Sequence, residues 1–187
     1  MKKVKFIMAF LLLALPMFAQ DVKPLNDDGV YEIIEVVNVD GVNVENLYLR
    51  AIESLNNWGK SSGKSNSKIE VNDKESGLVI IKGRMWEGAK NAPFGVIWDA
   101  YSDFSARIKC KEGRAQITLM VPSMTLIDNM KHNEHTVPLR EIIPYKHKSD
   151  YTYKKTILKY TLQIYTSMEN LMKHIKEKLQ NPGDDDF

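Results

Sequence analysis

From residue 94 to residue 121 the chain alternates with a period of two, and this pattern constrains the fold more than any other. On the first arm Phe94, Val96, Trp98, Ala100, Ser102, Phe104, Ala106, Ile108 and Cys110 fall on one face, nearly all of them apolar. From Asp99 onward the other face carries Asp99, Tyr101, Asp103, Ser105, Arg107 and Lys109, which water can solvate. A strand with one buried face has this signature, because successive side chains point to opposite sides of the sheet. Lys111-Glu112-Gly113-Arg114 reads as a tight turn, with Gly113 supplying the left-handed residue. A two-residue loop at Glu112-Gly113 sets Cys110 opposite Ala115, Ile108 opposite Ile117, Ala106 opposite Leu119 and Phe104 opposite Val121. A slip of one residue would turn the second arm's apolar set to water, so the pattern specifies its own register.

The first residues have a different character. Lys2, Lys3 and Lys5 precede an unbroken apolar run from Phe6 to Leu15, and Ala19 offers a small residue for cleavage before Gln20. The run is too short to span a bilayer, so residues 1–19 are expected to be a signal peptide. The protein is then exported, periplasmic or secreted, with no transmembrane segment in the mature chain. The 26 basic residues against 24 acidic ones become 23 against 24 once Lys2, Lys3 and Lys5 are removed. The apparent basicity goes with the leader, and nothing argues for a nucleic acid partner. Cys110 is the one cysteine, so no internal disulfide is available. On an apolar strand face it reads as a small buried hydrophobe.

Residues 20–29 read as a flexible leader, 30–181 as one domain and 182–187 as an acidic tail. Val30 to Val39 is a β-branched strand whose apolar content on both faces suggests an interior place. Asn43 is a candidate N-cap for a helix from Val44 to Trp58, where Leu47, Tyr48, Ala51, Ile52, Leu55 and Trp58 form a stripe. Lys68 to Asn72 and Gly77 to Gly83 form a second hairpin, followed by a loop from Arg84 to Pro93. The segment 122–150, with Pro122, Pro138 and Pro144, reads as a long excursion with at most one short strand. A long helix from Thr152 to Gln180 carries Ile164, Met168, Leu171, Ile175 and Leu179 on one line, and its end is expected to overhang the sheet.

Strand, helix, four strands, helix is the resulting order. With Ile69 to Gly77 (IEVNDKESG), Val79 to Gly83 (VIIKG) and Ile108 to Arg114 (IKCKEGR), it resembles a family of exported bacterial proteins. That family is a domain of unknown function with a TATA-binding-protein-like (TBP-like) fold. The resemblance implies an α+β class: a curved antiparallel sheet (β-α-β-β-β-β-α) with two helices packed on one face. It has no established activity, so it carries over no catalytic residues, and a fold name alone implies nothing about DNA.

No motif supplies chemistry. Gly59-Lys60-Ser61-Ser62-Gly63-Lys64-Ser65 has one residue too few for a P-loop and leaves a helix where a P-loop leaves a strand. His132, Glu134 and His135, with His147, have ligand types for zinc but no spacing that collects them. Asp99 and Asp103 share a strand face about 13 Å apart, too far for glycosidase carboxylates. The expectation is a non-enzymatic binding module of the cell envelope, with no cofactor and no metal site, whose partner is an envelope protein or ligand. Its contact face would be Tyr101, Asp103, Ser105, Arg107, Lys109, Gln116 and Thr118. The alternative is an enzyme or metal-binding protein using the 122–150 loop as a lid.

Overall fold

A computed structural model describes residues 24–58, 65–91, 97–143 and 151–181. The expected signal peptide, the glycine-lysine loop up to Lys64, His147 and the acidic tail lie outside the described residues. The chain forms β1 (Tyr31–Asn38), α1 (Val44–Trp58), β2 (Asn66–Asp73), β3 (Leu78–Asn91), β4 (Ile97–Lys111), β5 (Arg114–Asp128), β6 (Glu134–Pro138), α2 (Leu139–Ile142) and α3 (Tyr151–Gln180). The strands make one antiparallel sheet in the order β1-β5-β4-β3-β2, with β6 also paired to β5. β1 covers β5 from Arg114 to Val121 and β6 covers it from Ser123 to Ile127, so the two short strands share one side of the long one.

The central hairpin has the register that its alternation dictates. Cys110 meets Ala115, Ile108 meets Ile117 and Ala106 meets Leu119. Gly113 has φ 68°, the left-handed turn residue. Phe104 meets no single partner, because the register shifts between Asp103 and Ser105. Ser105 pairs with Met120 and Asp103 with Ser123, so one extra residue of β5 is accommodated beside Phe104, next to Pro122. Proline lacks the N–H that a ladder needs, and a bulge is where a sheet tolerates it. The strand therefore passes through Pro122 and continues to Asp128, where the sequence pattern suggested an excursion. Residues 122–143 are the rest of β5, the β6 return and α2. The expected loop from Arg84 likewise belongs to β3, which runs to Asn91 after a bulge between Trp86 and Gly88.

β1 is not interior. It pairs with β5 alone and forms one edge of the sheet. Its apolar residues on both faces have separate causes: Tyr31, Ile33 and Val37 face the helices, while Ile34 and Val36 stand on the open face, 52% and 58% exposed. Nor is the leader loose from Pro24 onward. Asn26 Oδ1 accepts the Val30 and Asp28 N–H groups, and Gly29, at φ 76°, lies where a Cβ would strike Arg140.

α1 begins with Asn43 Oδ1 accepting the Asn46 N–H at 2.8 Å, the cap its sequence promised. α1 and α3 cover one face of the sheet and pack on each other. Leu47, Leu55, Ile81, Ile108, Ile117, Leu119, Ile164, Met168 and Leu171 are fully buried between the layers. Cys110 is buried among them, and burial pushes its thiol up to about 11, so it is an inert hydrophobe. Leu179 is as buried as Ile164, and Arg50 of α1 donates to its carbonyl at 2.8 Å. The expected overhang is absent because the long strands have 14 and 15 residues, about 50 Å, against about 45 Å for the 30-residue helix. Among the described residues no helix is long and apolar enough to cross a membrane.

Candidate functional site: the open face of the sheet

With both long helices on one side, the odd-numbered residues of β4 point to the other. Tyr101, Asp103, Ser105, Arg107, Lys109, Gln116 and Thr118 all lie on this face, as their alternation requires. They do not form one surface. The face divides at the Pro122 bulge into two ends with different chemistry.

At the end remote from the hairpin turn the polar groups are committed to one another. Arg84 sits opposite Asp103 in register and donates from Nε to Asp103 Oδ1 at 3.1 Å, while its Nη1 reaches Glu134 at 3.0 Å. Ser123 and Thr125 donate to Asp103 Oδ2 at 2.8 and 2.7 Å. Thr125 has spent its single proton there, so the 2.9 Å bond to Thr136 must run from the Thr136 hydroxyl. Burial works against the Arg84 charge, but Glu134 and Asp103 outweigh it and raise its pKa above the ordinary value. Next along the strand, Asp99 accepts from Trp86 Nε1 at 2.9 Å and from Asn129 at 3.0 Å. Asp99 is 6% exposed, so it is not the solvated strand residue that alternation alone suggested. Tyr101, between the two aspartates, is half-buried.

This end is polar on the helix-covered face too. The β3 bulge places Glu87 inside, 2% exposed, where Ser102 donates at 2.5 Å and Ser167 of α3 at 2.8 Å. Burial raises its pKa, and the two hydroxyls only partly offset that. Tyr160 of α3 is likewise raised, by burial first and then by Asp99.

At the turn end the open face is cationic and, Lys109 apart, unpaired among the described residues. Lys109 donates to the Ser76 carbonyl at 2.5 Å. Arg107, Lys111 and Arg114 are exposed and, among the described residues, have no carboxylate partner. Val36, Lys109, Lys111, Arg114 and Gln116 line a shallow hollow of about 220 Å³. Thr118, 8% exposed, is enclosed by its neighbours. Of the residues expected to form the contact face, Arg107, Lys109 and Gln116 belong to this accessible end, and Asp103 is consumed by Arg84 and two hydroxyls. Arg84 was missed, and Glu134 read only as a candidate metal ligand, because both sit in segments the sequence presented as loops. Lys111, Arg114 and Val36 could have been added by following the turn register one residue further.

The histidine segment does not gather. β6 sends Glu134 toward Arg84, and an adjacent strand residue such as His135 points to the opposite face. His132 takes the turn before the strand at φ 55°. Among the described residues no group of three or more potential ligands converges.

A curved antiparallel sheet with helices on one side and an open opposite face defines an α+β protein of the TATA-binding-protein-like kind. The segment 34–125 matches a particular family model, described as a domain of unknown function (DUF4468) with TBP-like fold. A DUF4468 family protein from Bacteroides ovatus has a crystal structure that matches 88% of this chain and 94% of its own, with 13% identity and a TM-score of 0.62. A TBP-like protein from Parabacteroides distasonis matches 86% of this chain and 99% of its own, with 17% identity and a TM-score of 0.57. At these identities the likeness is one of fold. No curated protein matches the chain.

Proposed function

We propose that this protein is a non-enzymatic binding module of the cell envelope, and that it holds an acidic partner at the turn end of its open sheet face. The observation that carries the reading is the contrast within one face. Arg84 pairs with Asp103 and Glu134 and Asp99 is held by Trp86 and Asn129, whereas Arg107, Lys111 and Arg114 have no counter-charge among the described residues and stand beside exposed Ile34 and Val36. Unpaired cations next to apolar side chains suit a carboxylate-bearing partner with some apolar surface. They do not suit a nucleic acid track, because Asp99, Asp103 and Glu134 interrupt the positive field along the sheet. Export to the envelope rests on the leader sequence, Lys2 to Ala19.

The test is affinity capture from an envelope extract with the wild-type protein and the Arg107→Glu/Arg114→Glu variant. The expected result is at least one partner that the variant loses and that raised salt also releases. Identical partner sets for the two proteins would sink this reading.

A further inference from the structure

The two long edges of the sheet are protected unequally. On one side, β2 has exposed Lys68 and an irregularity between Ile69 and Val71, both of which discourage another strand from adding. On the other, β1 runs for eight residues, YEIIEVVN, in unbroken register with β5, without proline, lysine or bulge. Among the described residues nothing pairs with its outer side. A long, regular, apolar edge of this kind is a template for a further strand.

Which groups this edge offers follows from its pairing. Val39 N–H donates to the Gly113 carbonyl at 2.8 Å, so by alternation the odd residues of β1 bond to β5. Glu32, Ile34, Val36 and Asn38 therefore turn their N–H and C=O groups toward the open side. Alongside runs a groove of about 760 Å³ between β1 and α3, lined by Ile33, Glu35, Met172, Lys173, Lys176 and Gln180 among others.

We propose that β1 pairs antiparallel with β1 of a second copy of this chain, about a two-fold axis at Glu35. The inference does not rest on the proposed partner at the turn end, although Ile34 and Val36 border both surfaces. In this register Ile34 meets Val36 of the other copy on the open face, and Ile33 meets Val37 on the helix face, so apolar residues meet apolar residues on both sides. Glu32 meets Asn38. The four residues with outward backbone groups fall opposite one another, and all of those groups are satisfied. The neighbouring self-pairing, centred on Ile34, would set Ile33 against Glu35 and Glu32 against Val36, and would leave Asn38 unmatched. At the axis the two Glu35 carboxylates approach, each neutralised by the Lys176 that already bonds it at 2.5 Å. The arrangement is isologous, as a closed dimer requires, and joins two sheets with their open faces on the same side.

Sedimentation equilibrium of the purified protein tests this, with a dimer expected that dissociates on dilution. Ile34→Lys/Val36→Lys alters only exposed side chains, so circular dichroism should remain that of the folded chain while the mass falls to one copy. Mixing that variant with Ile34→Glu/Val36→Glu should restore a twofold mass. Glu35→Cys should oxidise to a covalent dimer, since residues directly opposite fall within disulfide reach, and Glu32→Cys should not. Cys110 is buried and gives no background. A monomer at every concentration, a dimer unaffected by the two lysines, or equal cross-linking at positions 32 and 35 would overturn the proposal.

Discussion

The two ends of the β4–β5 hairpin are made from the same strands and use their polar residues in opposite ways. At the remote end, Asp103 accepts three side-chain donors and Asp99 two, and the face beneath holds Glu87 between two serines. At the turn end the inner face is Ile108, Cys110, Ala115 and Ile117, while on the outer face Arg107, Lys111 and Arg114 have no carboxylate partner among the described residues. Polar groups that bond each other are structural. Polar groups that bond nothing in their own chain are available to something else. The contrast separates architecture from candidate function on one continuous surface, which composition alone could not do.

The largest effect should come from breaking the closed end. Asp103→Ala removes the acceptor for Arg84 Nε, Ser123 and Thr125, and Thr125 is fully buried. Hydrogen bonds to a charged group are each worth about 1.5–3 kcal/mol, but Asp103 and Arg84 are partly exposed and water replaces much of what the two charged groups lose, so a net cost of about 2–3 kcal/mol is expected. Chemical denaturation measures it. Thr125→Val in the Asp103→Ala background should cost little more, because the two residues act through the same bonds. Full additivity would show that the network is not one unit.

Much of this comparison was legible before the fold was known, and its limits are physical. The turn end could be read because alternation and Gly113 fix its register, and nothing irregular intervenes between Lys111 and Ser105. The remote end could not. Two bulges, at Glu87 and beside Phe104, shift the pairing by one residue, and a period-two pattern has no way to announce an inserted residue. In the sequence Pro122 reads as the end of a strand, and in the fold it marks such a bulge. Arg84 and Glu134 come from opposite sides of the sheet, so their meeting across β4 and β5 follows only from the full strand order. The edge position of β1 was hidden for a related reason. An edge strand with Ile34 and Val36 on its open face resembles an interior one when only apolar content is counted.

A smaller effect, with a defined pH dependence, is expected beneath the closed end. Glu87 has a pKa raised by burial. A carboxyl whose folded pKa lies above its unfolded value favours folding when protonated. That contribution is full below the unfolded pKa and is lost as pH rises through the folded one. At neutral pH the ionised group therefore works against the fold. Glu87→Gln keeps an oxygen for one serine and offers an N–H₂ group to the other, without the charge. It should melt higher than wild type at neutral pH, by on the order of 1 kcal/mol. The advantage should shrink as pH falls through the raised carboxyl pKa toward 4.5, the ordinary glutamate value. A variant that is less stable at neutral pH would mean that the Ser102 and Ser167 bonds to the anion outweigh its desolvation.

The smallest effect on stability is the one that isolates function. Arg107→Glu and Arg114→Glu alter exposed side chains that bond nothing among the described residues, so each should change stability by no more than about 0.5 kcal/mol. The reversal removes two positive charges and adds two negative ones on the open face beside Val36. A folded chain with unchanged melting that no longer retains its acidic partner would assign this end to binding. If melting instead fell as far as in Asp103→Ala, the turn-end cations would be structural after all, and the distinction between the two ends would fail. Equal stability of Arg107→Glu and Arg107→Ala would also show that no nearby carboxylate supports the native charge.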